Sequence, residues 1–162
     1  MKITGKSHVY GDNIDTDRII PGKYTKTLNL QSLADHVLED LDPEFSKKVA
    51  EGDIVVAGEN FGCGSSREQA PLALKTAGVS LIIAKSFARI FFRNAINIGL
   101  PIIELKDYQI QPGDIVEADL ISGIVTVNGQ SYTGTKMPEV MVDILNNNGL
   151  VNYLAEHKTY KL

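Results

Sequence analysis

Cysteine is almost absent: Cys63 stands alone among 162 residues. That excludes an internal disulfide framework and suits a reducing compartment, so a cytoplasmic protein is expected. Basic stripes are missing too. Lys47-Lys48 is too short to form one, and the net charge of −4 with a pI near 5.3 argues against a nucleic-acid partner. No apolar stretch approaches the ~20 residues of a membrane span, and Met1 to Lys6 has no apolar run like that of a signal peptide. Internal repeats, low-complexity tracts and long linkers are also lacking. What is present is ordinary for a globular chain: 43% hydrophobic and 22% charged residues, enough for one domain with a real core over residues 1–162.

Strands and helices alternate through the first two thirds. Leu30, Leu33, Ala34, Val37, Leu38 and Leu41 fall at i, i+3, i+4, i+7, i+8 and i+11, which predicts an amphipathic helix capped by Asn29. Asp53–Ala57 reads as a β-branched apolar strand, and Ser80–Ala84 as a second. Between them a helix is expected to run to Ala77 and stop at Gly78. Its start is ambiguous. Ser65 and Glu68 have capping-box spacing, but Pro71 would then sit beyond the first turn, so a start near Ala70 is the alternative. Phe87–Ile98 reads as a further helix ended by Gly99, and Leu100–Leu105 as a third strand. This order implies right-handed crossovers and a parallel core sheet.

The last third changes character. Ile115–Ala118 is a short strand. Ile124–Val127, Asn128-Gly129 and Gln130–Thr133 read as a hairpin with a type I′ turn. Pro138 then opens a helix to about Asn147. The fold class expected is α/β, with a parallel core sheet, flanking helices and a β-rich C-terminal part.

The chemistry concentrates in Gly58-Glu59-Asn60-Phe61-Gly62-Cys63-Gly64-Ser65-Ser66-Arg67-Glu68. Two adjacent hydroxyls, a guanidinium and a carboxylate stand where a glycine-rich loop turns towards a helix. Backbone N–H groups and a helix dipole at such a turn stabilise anions. The segment is neither a Walker loop, since no Gly-Lys-Ser/Thr follows, nor a Rossmann fingerprint, since the third glycine is missing. Asp15-Thr16-Asp17-Arg18 reads on its own as an Asx turn with solvated charges. No local pattern ties His8, His36 or His157 to the Cys63 thiol, and His36 belongs on the polar side of its helix. Arg89 and Arg93, four apart on a Phe-rich helix, suit a site wall or a salt bridge equally well. A small anion- or nucleotide-binding module using the glycine loop alone is the reading from a different class.

Three segments together resemble a known family. Gly11 to Asp17, Gly58 to Pro71 and Ile83 to Phe91 are similar to the swivelling domain of aconitase-type hydro-lyases, within it the stand-alone small subunits of the 3-isopropylmalate dehydratase and homoaconitase group. The resemblance covers essentially the whole chain and departs from the family at Gln69, where histidine is usual; Cys63 stands at a variable position. It implies an aconitase-type swivelling β/β/α domain and a dehydration–rehydration reaction on a 2-hydroxy acid. It also implies a [4Fe-4S] cluster, one iron of which acts as a Lewis acid on the substrate hydroxyl and a carboxylate. Such a cluster takes about three or four thiolates. One cysteine cannot supply them, so a large subunit must carry the cluster, in a heterodimer or heterotetramer.

By residue match, the resemblance makes Ser65 the base that removes the proton next to a carboxylate. Arg67 helps bind a substrate carboxylate, and Ser66 hydrogen-bonds the same group. Thr16 and Asp17 belong to an acidic turn facing the site, with Asp17 orienting a site group. The specificity loop corresponds to Tyr24-Thr25-Lys26-Thr27, where a cation at Lys26 suits a distal carboxylate and a methylene stem suits an apolar tail. The substrate expected is 3-isopropylmalate, in leucine biosynthesis. Homoaconitate and a methylated malate are the alternatives.

Overall fold

The computed structural model describes residues 1–26 and 29–157, and a single mixed sheet organises them. Its strands are β1 (Lys2–Val9), β2 (Ile54–Ala57), β3 (Leu81–Ala84), β4 (Ile102–Glu104), β5 (Ile115–Asp119), β6 (Ile124–Val127) and β7 (Gln130–Thr133). The spatial order is β4-β3-β2-β1-β5-β6-β7. β1 to β4 run parallel to one another, whereas β5 joins β1 antiparallel and β6 and β7 continue antiparallel. The sheet is thus the α/β arrangement expected, with the parallel core in place.

The helices are α1 (Thr16–Ile19), α2 (Leu30–His36), α3 (Phe45–Lys48), α4 (Gln69–Thr76), α5 (Arg89–Asn97), α6 (Glu139–Asn146) and α7 (Leu150–His157). α4 connects β2 to β3 and α5 connects β3 to β4, which is the crossover pattern parallel strands require. α4 packs against α1, α2 and α5, and α5 against α6 and α7. Every residue of β2 and β3 is buried, so both faces of the sheet are covered there.

Several expected boundaries shift, each for a local reason. Asn29 does cap α2, its side chain accepting from the Gln31 and Ser32 amides. The helix nevertheless stops at His36. Leu38 takes φ 55° and gives its N–H to the Ile19 carbonyl at 2.8 Å, so the chain turns back onto α1 instead of continuing. Val37 and Leu38 stay buried in non-helical backbone. The capping box is not formed either. α4 starts at Gln69, its N-cap Glu68 is in αR conformation, and Ser65 lies four residues before the first helical turn. Pro71 therefore falls within that turn, where its missing N–H costs nothing. β1, α1, α3 and α7 are elements that the sequence pattern did not announce. The hairpin between β6 and β7 forms as expected, with Asn128 at φ 53° and Gly129 at φ 77°.

Candidate active site

The three motif segments meet at the carboxyl ends of β1, β2 and β3. In open parallel sheets this edge is where ligands bind. The loop after β1 and the loop after β2 zip together through Gly58 N–H to Gly11 O (3.0 Å), Asn13 N–H to Glu59 O (2.8 Å), Gly62 N–H to Ile14 O (2.8 Å) and Thr16 N–H to Cys63 O (2.9 Å). The loop after β3 ties in from the other side. Lys85 N–H reaches Gly58 O (3.0 Å), Phe61 N–H reaches Ser86 O (3.0 Å), and Ala88 N–H reaches Phe61 O (2.9 Å). Side chains reinforce the seam: Asp12 accepts from the Glu59 amide at 2.7 Å, and the Ser86 hydroxyl donates to Glu59 at 2.7 Å. Tyr108 hydrogen-bonds the Ala57 carbonyl at the end of β2. Burial, then the nearby Asp12 and Glu59 carboxylates, raise the Tyr108 pKa, which keeps that donor protonated.

Packing fixes the loop as firmly as hydrogen bonds do. Phe61 is buried edge-on against Phe87 and Phe91, at centroid distances of 5.9 and 5.2 Å. Gly62 has φ +81°, and a Cβ there would come within 2.3 Å of the Phe91 ring. Only glycine combines that backbone conformation with that closeness.

The loop then delivers Ser65, Ser66 and Arg67 to one wall of a pocket of about 210 Å³. The opposite contribution comes from the start of α5: Ala88, Arg89, Ile90, Phe91 and Asn94. Ala88 is the N-cap residue of α5 and offers no side-chain cap. The first-turn amides of a helix have no intrahelical partner, so this wall of the pocket carries positive potential. Such potential was expected from the glycine loop leading into its own helix. Geometrically the α5 terminus provides it, since α4 begins only at Gln69.

The pocket brings together some of the candidate residues and leaves others at its edge. Thr16 is 3% exposed, lines the pocket, and donates from Oγ1 to the Ser65 carbonyl at 2.8 Å. It thereby holds the backbone of Ser65. Asp17 does not line the pocket but ion-pairs with Arg67, whose Nη1 also donates to the Ile20 carbonyl at 3.1 Å. Both contacts come from α1 and the residue after it, a short helix capped by the Asp15 side chain accepting from the Arg18 amide. Arg67 further leans on Gly22, where a Cβ would lie 3.2 Å from Nη2.

Tyr24 and Lys26 lie outside the pocket lining. Tyr24 stacks on His36 with centroids 3.8 Å apart and rings within 2° of parallel, so His36, still about one-third exposed and 3.3 Å from Glu39, is also a packing partner. Lys26 is exposed, and Thr27 lies outside the described residues. Gln69 Nε2 reaches the Thr25 carbonyl at 3.4 Å, linking this loop to α4. Arg89, balanced between two roles in the sequence, lines the pocket, while Arg93 lies with Glu104 in a neighbouring hollow. Asn94 was not singled out by any motif; its position one turn after Arg89 and Ile90 is the signal that would have found it.

Donor chemistry does not fit an iron–sulfur cluster on this chain. Cys63 is its single cysteine, and among the described residues no group of three or more His, Cys, Asp or Glu side chains is placed to hold a metal.

Comparison with known proteins agrees with the motifs. Residues 39–108 match the family model described as the aconitase C-terminal domain. A 3-isopropylmalate dehydratase small subunit from Caldanaerobacter subterraneus is 55% identical over 156 residues, covering 94% of this chain and 97% of that relative. A 2,3-dimethylmalate dehydratase small subunit from Eubacterium barkeri is 53% identical, covering 95% of this chain and 97% of the relative. Among solved structures, 3-isopropylmalate dehydratase from Methanocaldococcus jannaschii superposes with a TM-score of 0.92 at 49% identity, covering 98% of this chain and 96% of the other.

Proposed function

This chain belongs to the family of 3-isopropylmalate dehydratase small subunits, and on that premise we propose that it forms one half of a two-chain hydro-lyase interconverting 3-isopropylmalate and 2-isopropylmalate. The observation that carries the reading is the single pocket in which Ser65, Ser66 and Arg67 face the uncapped start of α5. In this reading the Ser65 oxygen takes the proton next to a substrate carboxylate. Its alkoxide is costly in water and is favoured by the positive potential of the α5 terminus. Thr16 fixes the Ser65 backbone. Arg67 binds the substrate carboxylate through its planar fork, and Asp17 orients that fork by pairing with it. Ser66 hydrogen-bonds the same carboxylate. The hydroxyl-activating cluster belongs to a cysteine-bearing large subunit, because the residues of this chain do not fit one.

The second reading is dehydration of 2,3-dimethylmalate, which the Eubacterium barkeri relative favours. Both substrates are branched malates, so the reaction and the roles above are shared. The test is turnover by the chain purified with its large subunit, on isopropylmalate, dimethylmalate and homoaconitate. Isopropylmalate is expected to give the highest kcat/KM, and the chain alone is expected to be inactive. Robust turnover without a partner would sink the two-chain reading.

A further inference from the structure

Two arginines line the pocket, and they are electrostatically unlike. Arg67 is held by the Asp17 carboxylate and the Ile20 carbonyl, so its charge is partly offset and its orientation is set. Arg89 is the first residue of α5 and is exposed. Among the described residues it has no ion pair and no side-chain hydrogen bond. Glu104 shares the adjoining hollow with Arg89 and Arg93, yet no ion pair joins it to either.

This placement runs against folding electrostatics. A helix N-terminus favours acidic residues and disfavours cations. α5 has a cation at its first position, no acidic residue in its first turn and no capping side chain. Among the described residues no ion pair offsets that positive charge, and Glu104 in the adjoining hollow forms none with it. Local departures of this kind are expected where a ligand completes the site. An anion in the pocket would meet the Arg89 guanidinium and the first-turn amides at once.

The hydro-lyase reading, on which this inference rests, calls for two anionic groups. A branched malate carries two carboxylates; Arg67 accounts for one, and the other, which the resemblance places at the partner's iron, still lacks a counter-charge on this chain. We propose that Arg89, with the first turn of α5, binds the second carboxylate and makes the site selective for diacids over monoacids. Its position favours this over a structural role, because an exposed side chain without protein partners holds nothing in place. It is a binding residue, so its loss should act on affinity more than on the chemical step.

The experiment uses the reconstituted two-chain complex with Arg89→Gln and Arg89→Lys. For isopropylmalate, Arg89→Gln is expected to raise KM about 10- to 100-fold, the range for losing a charge-assisted hydrogen bond, with kcat changed less than about threefold. Arg89→Lys should recover part of the loss, since it keeps the charge and loses the fork. Inhibition by succinate should weaken in Arg89→Gln, while inhibition by its monoamide should hardly change. An unchanged KM overturns the inference. So does equal weakening of both inhibitors, which would mean that Arg89 does not read the second carboxylate, or a loss of complex assembly that accounts for the activity change, which would place Arg89 at a subunit contact. A wild-type complex that turns over none of the 2-hydroxy acids overturns the hydro-lyase reading itself, a different outcome from an active wild type with an indifferent Arg89.

Discussion

The two halves of the sheet solve different problems. In the parallel half, β2 and β3 are buried at every residue, and each strand ends in a loop at the same edge. In the antiparallel half, β5 and β6 alternate: Ile115 and Ile124 are 56% and 44% exposed, while Val116, Ala118, Val125 and Val127 are buried. The first half must cover both faces with long crossovers, and those crossovers return three loops to one place. The second half closes its last two strands through a two-residue turn, and the hollow along β1, β5 and β6, lined by Thr4, Glu117, Asp119 and Thr126 among others, gathers none of the motif residues. The candidate site residues gather where parallel strands end, and the antiparallel strands act as a brace for β1, which pairs with both β2 and β5.

The largest effect that would break this comparison is catalytic. Ser65→Ala in the proposed two-chain complex should cut turnover at least ~10²- to 10⁴-fold, the usual loss for a positioned base, with assembly and the absorbance of the proposed partner cluster unchanged. Turnover like that of the wild type would remove Ser65 from the mechanism and leave the parallel edge without its reactive group.

A smaller contrast concerns stability. Ile83 is fully buried in β3, and Ile83→Ala should destabilise by about 2–5 kcal/mol through lost burial and an unfilled cavity. Ile124→Ala, on the open face of β6, should stay within about 0.5 kcal/mol, as surface changes do. Urea unfolding of both variants measures the difference directly. Comparable losses would mean that the outer face of the antiparallel half is covered.

Arg67→Lys ranks next. It retains the charge near Asp17 but replaces a fork with a point contact, and should lower kcat/KM for isopropylmalate about 10- to 100-fold. Steady-state kinetics that match the wild type would leave Arg67 as a brace between α1 and the glycine loop.

How far the sequence disclosed all this depends on the kind of signal. β2, β3 and the β6–β7 hairpin were legible because burial on both faces, or an Asn-Gly turn, imprints a local pattern. β1 was not, because Lys2–Val9 interleaves two lysines and a glycine with its apolar residues and is half-exposed along its length. The apolar spacing from Leu30 to Leu41 reported burial correctly at Leu33, Ala34, Val37 and Leu38 but not at Leu30, which is 47% exposed, and it reported the backbone incorrectly beyond His36. Val37 and Leu38 reach the core from a turn, which spacing cannot distinguish from a helix. At the site, the Ser65-Ser66-Arg67 segment was visible as a cluster of reactive groups. The Thr16–Ser65 bond and the Asp17–Arg67 pair were not, since they join residues about fifty positions apart and exist only once the loops zip together.

The smallest expected effect tests where the parallel edge stops mattering. Lys26 is exposed and outside the pocket of Ser65 and Arg67, while Tyr24 is held beside His36. An ammonium directed into the site would favour a tail bearing a carboxylate. Burial of a branched apolar tail against the same loop is worth roughly 1.5–3 kcal/mol, or about a ten- to hundredfold specificity change. The placement of Lys26 argues for the outward arrangement, with the lysine stem and Tyr24 offering apolar surface. Lys26→Val should then alter kcat/KM for isopropylmalate by less than about threefold and leave homoaconitate a poor substrate. Measuring both substrates in both versions of the complex decides it. A wild-type preference for homoaconitate that disappears in Lys26→Val would show that the loop after α1 reaches into the site, and would move the boundary of the chemical edge outward to include it.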